Sequence, residues 1–386
     1  MPSIEKWTPK LWTRRGIVAP LVPYATFCIV LFSGLSCEDR PSSPKVVVYC
    51  SVDQAVAEPL LADFEKRTGI TVLARYDTEA SKTVGLVQRI RAEAGSPAAD
   101  VFWSGEVFHT IRLAREGLLT PYRGEGILPL HPAPRPASES QGRDALATQG
   151  QDGLATSPTQ RRDALATLAD PNGLWYGFAW RARVIGYNTN KVSAQEAPKS
   201  LEEALDAKWK GRLVMASPAF GTTGGDVASW FAHYGPERAR AILQQLRDNS
   251  VRIASGNSTA VRMVATGQAD ICFTDTDDIY AGQRNGWPVA MNFLDQNGEG
   301  VLAIPNTAAV IKGGPHPEAA KKLMEFLLSE ELERSLAQSD SHNSPTHASV
   351  AREYPQYAIP RALNLDYGRI ADFLPTAIVA AREILP

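Results

Sequence analysis

Lys45–Ser51 (KVVVYCS) carries an unbroken run of β-branched and aromatic residues with no polar face, and such a run forms a strand covered on both sides. Behind it, Asp53–Thr68 places Val56, Leu60, Leu61 and Phe64 at helical spacing, with Gly69 as C-cap. Ile70–Tyr76 returns to a strand pattern. Asp77-Thr78-Glu79 then precedes a helical pattern through Val84, Leu86, Val87 and Ile90 that ends near Gly95-Ser96-Pro97. Asp100–Trp103 (DVFW) is a third strand, and Ser104-Gly105-Glu106 opens a helix that runs through Arg115 and stops at Gly117. Strands and helices alternating over short connections require a parallel sheet with helices on both faces. The strand ends Ser51–Gln54, Asp77–Ser81 and Ser104–Glu106 then gather along one edge, where open α/β sheets hold ligands.

With 386 residues the chain is long enough for two such units, each with its own core. A net charge of −2 offers no basic field for nucleic acid, and 44% apolar against 21% charged residues excludes general disorder. The first residues differ. Lys6, Lys10, Arg14 and Arg15 precede an apolar run from Gly16 to Ser36, the pattern of an export signal. Cys37 at its boundary is placed as the lipidation site of a bacterial lipoprotein, with Gly34 where a leucine usually stands and Leu35 one place late. Ordinary cleavage or an uncleaved anchor would explain the same residues, and all three put the folded part outside the cytoplasm. Residues 38–44 read as a tether. Cys50 and Cys272 each end an expected buried strand; two inert thiols are expected, although export would permit a disulfide.

Arg123–Pro171 breaks the alternation with four prolines before Arg143 and three near-copies, Arg143–Thr148, Gln151–Thr156 and Arg162–Thr167. Little in it can be buried, so it is expected to be a disordered insertion. Leu174–Asn188 resumes order as two extended segments, with Arg181 and Arg183 on one side of the second. Ser200 begins a capping box and Lys210–Met215 a strand. Ser217–Asp226 (SPAFGTTGGD) is a small-residue turn before a helix over Val227–Tyr234, and a helix start of this kind suits an anion. Ile253–Ser258 caps a further helix, Val289–Asn292 and Val301–Ile304 are strands, and Pro317–Ala337 is one long amphipathic helix. From His342 the chain is expected to be irregular until Ile370–Ile384.

Ile271-Cys272-Phe273 runs straight into Thr274-Asp275-Thr276-Asp277-Asp278. Carboxylates crowded at a buried strand end need a cation, donors or water to compensate them; a solvated loop or a helix cap near Ile279-Tyr280 would explain the same residues. Glu106 and His109 stand three apart on one helix face, a spacing a metal could use but one expected of a solvated face. Trp103 could pack on a ligand or simply in the core. No zinc spacing, HExxH, GxSxG, Walker or GxGxxG pattern occurs, and no nucleophile–base–orienter set can be named.

Six stretches, Val46–Gln54 (VVVYCSVDQ), Phe64–Val72 (FEKRTGITV), Ala99–Glu106 (ADVFWSGE), Trp180–Thr189 (WRARVIGYNT), Phe220–Gly225 (FGTTGG) and Gly267–Asp278 (GQADICFTDTDD), carry a family resemblance in their order and spacing. The chain resembles the periplasmic solute-binding proteins of bacterial ABC importers, specifically their ferric-iron-binding branch. The resemblance implies an α/β, type II two-lobed fold in which each lobe is a mixed sheet flanked by helices and ligand sits between them. It implies lobe 1 over 45–122, lobe 2 mainly over 172–300, a return to lobe 1 over 301–345, and C-terminal helices over 346–386 packing on lobe 2. It implies a monomer outside the cytoplasm that is not an enzyme and has no cofactor, with Fe(III) as transported ligand, an importer permease as partner and the N-terminal segment as its link to the membrane. The family's paired tyrosine ligands fall on Asp277-Asp278, with Tyr280 nearby. Its other ligand positions fall on the loop at Ser51–Gln54 and on Glu106, and its anion site on Arg181 or Arg183 with Thr222-Thr223.

The candidate cation ligands are therefore Asp53, Glu106, Asp275, Asp277 and Asp278. The candidate anion or solute contacts are Ser51, Thr78, Ser104, Arg181, Arg183, Thr222 and Thr223. The residues themselves also suit a zwitterion such as an aminoalkylphosphonate, its ammonium on the aspartates. A ligand-sensing lipoprotein and an extracytoplasmic hydrolase are the alternatives from other classes.

Overall fold

The computed structural model describes residues 43–77, 83–123, 168–364 and 366–386. The export segment with Cys37, most of the tether, Thr78 and nearly all of the insertion lie outside them.

Strand β1 (Lys45–Cys50), helix α1 (Gln54–Thr68), β2 (Thr71–Tyr76), α2 (Val84–Ala92), β3 (Val101–Ser104), α3 (Phe108–Arg115) and the short β4 (Leu119–Thr120) follow the expected alternation. After the insertion come β5 (Tyr176–Asn188), α4 (Leu201–Ala204), β6 (Leu213–Ala216), α5 (Gly221–Tyr234), α6 (Pro236–Asp248), β7 (Arg252–Ala254), α7 (Asn257–Ala265), β8 (Ile271–Asp275), α8 (Thr276–Arg284) and β9 (Val289–Asn292). The chain ends with β10 (Ala303–Ile311), α9 (Pro317–Leu327), α10 (Glu330–Gln338), α11 (Ala348–Glu353) and α12 (Tyr367–Ile384).

The strands hydrogen-bond in the order β2-β1-β3-β10-β5-β8-β6-β7, with β4 beside β10 and β9 beside β5. Strand β1 is parallel to β2 and β3, and β6 is parallel to β7 and β8. Val46, Val48 and Cys50 of β1 enter one apolar cluster with Phe64 and Leu323, while Tyr49 enters the other with Val87 and Phe102, so the strand is indeed covered on both faces. The architecture is the two-lobed α/β fold that the resemblance implies.

Strand β5 joins the two halves. Tyr176–Ala182 pairs with β10, and Arg183–Tyr187 pairs with β8. The two extended segments expected here are thus one thirteen-residue strand, irregular at Ala179 (φ 41°) and opposite a register shift at Pro305/Asn306. Strand β10 itself extends well beyond Val301–Ile304. Pro305 argues against a central strand, but the shift places it where the ladder is already broken.

Three helices differ from expectation. The long helix from Pro317 breaks at Ser329, whose Oγ accepts from the Leu332 N–H at 3.1 Å and restarts the chain as α10; a serine side chain competes with the helix backbone in this way. The C-terminal stretch holds α11 before α12, which begins at Tyr367. The small-residue turn at Gly221–Gly225 is itself the start of α5. Its glycines permit close packing: a Cβ at Gly225 would lie 2.0 Å from the buried Phe108 ring of α3. Gly225→Ala should therefore cost about 1–3 kcal/mol by overpacking, and Phe108→Leu in the same chain should recover most of it. Urea unfolding of the single and double variants checks this.

Glu333 of α10 is fully buried and ties β5 to the loop before α11. It accepts from Ala179 N at 2.8 Å, Thr346 N at 2.9 Å and His347 N at 2.7 Å, and pairs with His347 Nδ1 at 2.9 Å. That pairing raises His347, partly opposed by burial. Burial works to raise Glu333, but the bonds from His347 and Thr346 outweigh it and hold the carboxyl below its ordinary value. Stability from the raised histidine is complete below its ordinary value of 6.5 and falls as pH rises through its folded pKa; that from the lowered glutamate is complete above 4.5 and falls as pH drops through its folded pKa. Urea midpoints should peak between those values, and His347→Gln should remove the decline on the alkaline side.

Candidate functional site

The carboxyl ends of β1, β3, β6, β7 and β8 open onto one solvent-open cleft. Among the described residues, five carboxylates line it, Asp53, Glu106, Asp275, Asp277 and Asp278, against one guanidinium, Arg181.

The acidic stretch is not a loop, and Asp275 and Asp277 are buried while Asp278 is half-buried. Strand β8 ends at Asp275 and α8 begins at Thr276, so Asp277 and Asp278 occupy the first helical turn, where the helix dipole favours anionic side chains. Asp275, Asp277 and Asp278 can each bring one oxygen to within 4.8 Å of the others. Their surroundings differ. Asp275 accepts from Arg183 Nη1 at 2.8 Å on one oxygen, and from Thr222 Oγ1 at 2.5 Å and Asn257 Nδ2 at 2.9 Å on the other. Arg183 also donates Nε to Asp226 at 3.0 Å. Burial pushes the Asp226 carboxyl up against the pull of Arg183; burial would lower Arg183, yet Asp275 and Asp226 raise it. Asp277 receives Arg181 Nη1 at 2.8 Å, and Asp278 accepts from Thr274 Oγ1 at 3.3 Å.

On the first-lobe wall, Glu106 caps α3, accepting from the Phe108 N–H at 2.6 Å and the His109 N–H at 3.2 Å, with His109 Nδ1 at 3.2 Å from its other oxygen. Both residues are buried rather than on a solvated face. Ser51 Oγ accepts from Gly105 N at 3.0 Å and from Thr83 Oγ1 at 3.1 Å. Asp53 stands at the start of α1 on the cleft wall. Across the cleft, α5 and α7 begin at Gly221 and Asn257 with no side-chain cap and no acidic residue in the first turn. Helix starts of this kind offer N–H groups to an anion.

The structure thus gathers Ser51, Asp53, Glu106, Arg181, Thr222, Thr223, Asp275, Asp277 and Asp278 at one cleft. Two candidates stand elsewhere. Ser104 is fully buried beneath the wall, its Oγ 3.3 Å from Ser51 Oγ. Arg183 lies behind Asp275 and faces a second cavity beside Trp230 and Phe273, so it braces a carboxylate rather than the cleft. Trp103 is core, tilted against Phe178 at 6.3 Å. Cys50 and Cys272 remain buried thiols. Sequence reasoning missed Asn257, Asp226 and Thr83; Asn257 sat within the IASGNS stretch read only as a helix cap.

A family model for bacterial extracellular solute-binding proteins matches residues 139–369, more than half of the chain. The chain is 28% identical over 344 residues to iron uptake protein A1 of Synechocystis sp., covering 84% of this chain and 85% of that one. It is 26% identical over 300 residues to a Salmonella paratyphi A periplasmic protein assigned provisionally to 2-aminoethylphosphonate binding, covering 76% of this chain and 75% of that one. The crystal structure of iron-bound HitA from Pseudomonas aeruginosa superposes with a TM-score of 0.69 at 23% identity, covering 88% of this chain and 99% of that one, and shares the fold.

Proposed function

The chain belongs to the bacterial extracellular solute-binding protein family, and on that footing we propose that it is the cargo-binding component of an ABC importer, carrying ferric iron on Asp277 and Asp278. The observation that carries this reading is the cleft's donor set. Five carboxylates face one guanidinium, and no histidine, cysteine, methionine or tyrosine stands among the described lining residues. An all-oxygen, net-negative site selects a hard cation. Asp275, committed to Arg183, Thr222 and Asn257, holds the cluster's geometry, while Asp277 and Asp278 meet the ion, with Asp53 and Glu106 on the facing wall. The uncapped starts of α5 and α7 would take the anion that accompanies it. Binding and release, not turnover, is the activity in this reading. The N-terminal segment, through Cys37 or as an anchor, would hold the protein at the membrane beside its permease.

The same opposition of aspartates to helix starts favours a second reading, a zwitterionic aminophosphonate spanning the cleft. Visible and X-ray absorption spectra of the protein mixed with ferric citrate discriminate. The metal reading expects an oxygen shell without phenolate-to-iron charge-transfer colour. A phenolate band would place the iron elsewhere, and absence of bound iron would leave the aminophosphonate.

A further inference from the structure

Arg181 stands where a cation would stand. Its Nη1 lies 2.8 Å from Asp277 Oδ2, and both side chains are less than a tenth exposed. Nη2 donates to Asn306 Oδ1 at 3.1 Å, and Nε has no partner among the described residues. Asn306 follows the register shift in β10 and itself donates to the Ala179 carbonyl, so the guanidinium is moored to the strand pair that joins the lobes. We infer that Arg181 is the built-in counter-ion of the cation site, and that cargo reaches Asp277 by displacing it.

This rests on the cation reading of the cleft. The contrast with Arg183 supports it. Arg183 is held between two buried carboxylates away from the cleft wall, whereas Arg181 lines the wall. Burial would lower its pKa, but Asp277, Asp275, Asp53 and Asp278 outweigh burial, so the guanidinium sits at the focus of the acidic cluster and stays charged. An ion arriving beside a fixed guanidinium is repelled. A monovalent ammonium that replaces it exchanges one positive charge for another, whereas a trivalent ion brings two more. The exchange therefore sets a charge threshold for cargo, with Arg181 as a specificity-determining residue.

Competition titrations of the chelator-stripped full chain test this, with ferric citrate, Ca²⁺ and 2-aminoethylphosphonate as parallel probes. Arg181→Gln should bind Fe(III) at least tenfold more tightly than the unaltered chain and gain by a similar factor for Ca²⁺, because either ion must displace the same guanidinium. Arg181→Lys, which keeps the charge, should follow the unaltered chain. Equal or weaker Fe(III) binding by Arg181→Gln overturns the inference. If the unaltered chain ignores Fe(III), the metal reading fails by itself; the inference is then decided by Ca²⁺ and the aminophosphonate, and falls if Arg181→Gln gains for neither. Should Arg181→Gln not fold, a crystal structure of the unaltered chain with Ga(III) on Asp277 decides. Arg181 moved off the carboxylate supports the inference, and a retained 2.8 Å contact overturns it.

Discussion

Arg183→Met should destabilise the protein by about 3–5 kcal/mol, the usual result of leaving a buried charge without its partner. Arg183 holds Asp226 at 3.0 Å and Asp275 at 2.8 Å, and all three side chains are less than a tenth exposed. Methionine fills similar space but strands two carboxylates together. Part of the loss should return when Asp226→Asn is added, because the amide removes one of the stranded charges. Urea unfolding of the single and double variants measures both effects. A loss below about 1 kcal/mol, the range of an exposed ion pair, would mean that the bracing of Asp275 is not what holds this wall.

Asp277→Asn with Asp278→Asn should weaken Fe(III) binding at least a hundredfold, and it should also cost stability, because Asp277 is the buried ion-pair partner of Arg181. Each contact to a charged group is worth about 1.5–3 kcal/mol, so losing two implies about 3–6 kcal/mol. The binding expectation follows from position, since these two residues line the cleft. Asp275→Asn should cost stability with a smaller loss of Fe(III) binding, because that carboxylate accepts from Arg183, Thr222 and Asn257. Competitive chelator titrations beside unfolding curves separate the two behaviours.

These contrasts show what a sequence can and cannot convey. The alternation from Lys45 to Gly117 was legible because β1 and β3 are apolar on both faces, β2 keeps a strand pattern between them, and each helix has its own stop. The convergence of Ser51, Glu106 and Asp275–Asp278 followed, since ligands gather at strand ends in such sheets. Strand β10 was not legible past Ile304, because Pro305 mimics a strand end and only the partner strand's irregularity at Ala179 accommodates it. The division of labour between Arg181 and Arg183 was not legible either. They stand two apart on one strand, and period two assigns them to one side. What separates them is long-range: Arg183 meets Asp226 from α5, and Arg181 meets Asn306 from β10. The glycines of α5 read as a turn because Phe108, which requires Gly225 to lack a Cβ, lies far away in sequence.

The central claim is that the cleft takes a hard cation on Asp277 and Asp278. Its most direct test is the thermal midpoint of the chelator-stripped protein titrated with ferric citrate. Cargo at about a hundred times its dissociation constant should add roughly 2.7 kcal/mol, a saturable upward shift that the Asp277→Asn, Asp278→Asn chain loses. A midpoint unmoved by ferric citrate but raised by 2-aminoethylphosphonate would contradict the claim and make the aspartates an ammonium site.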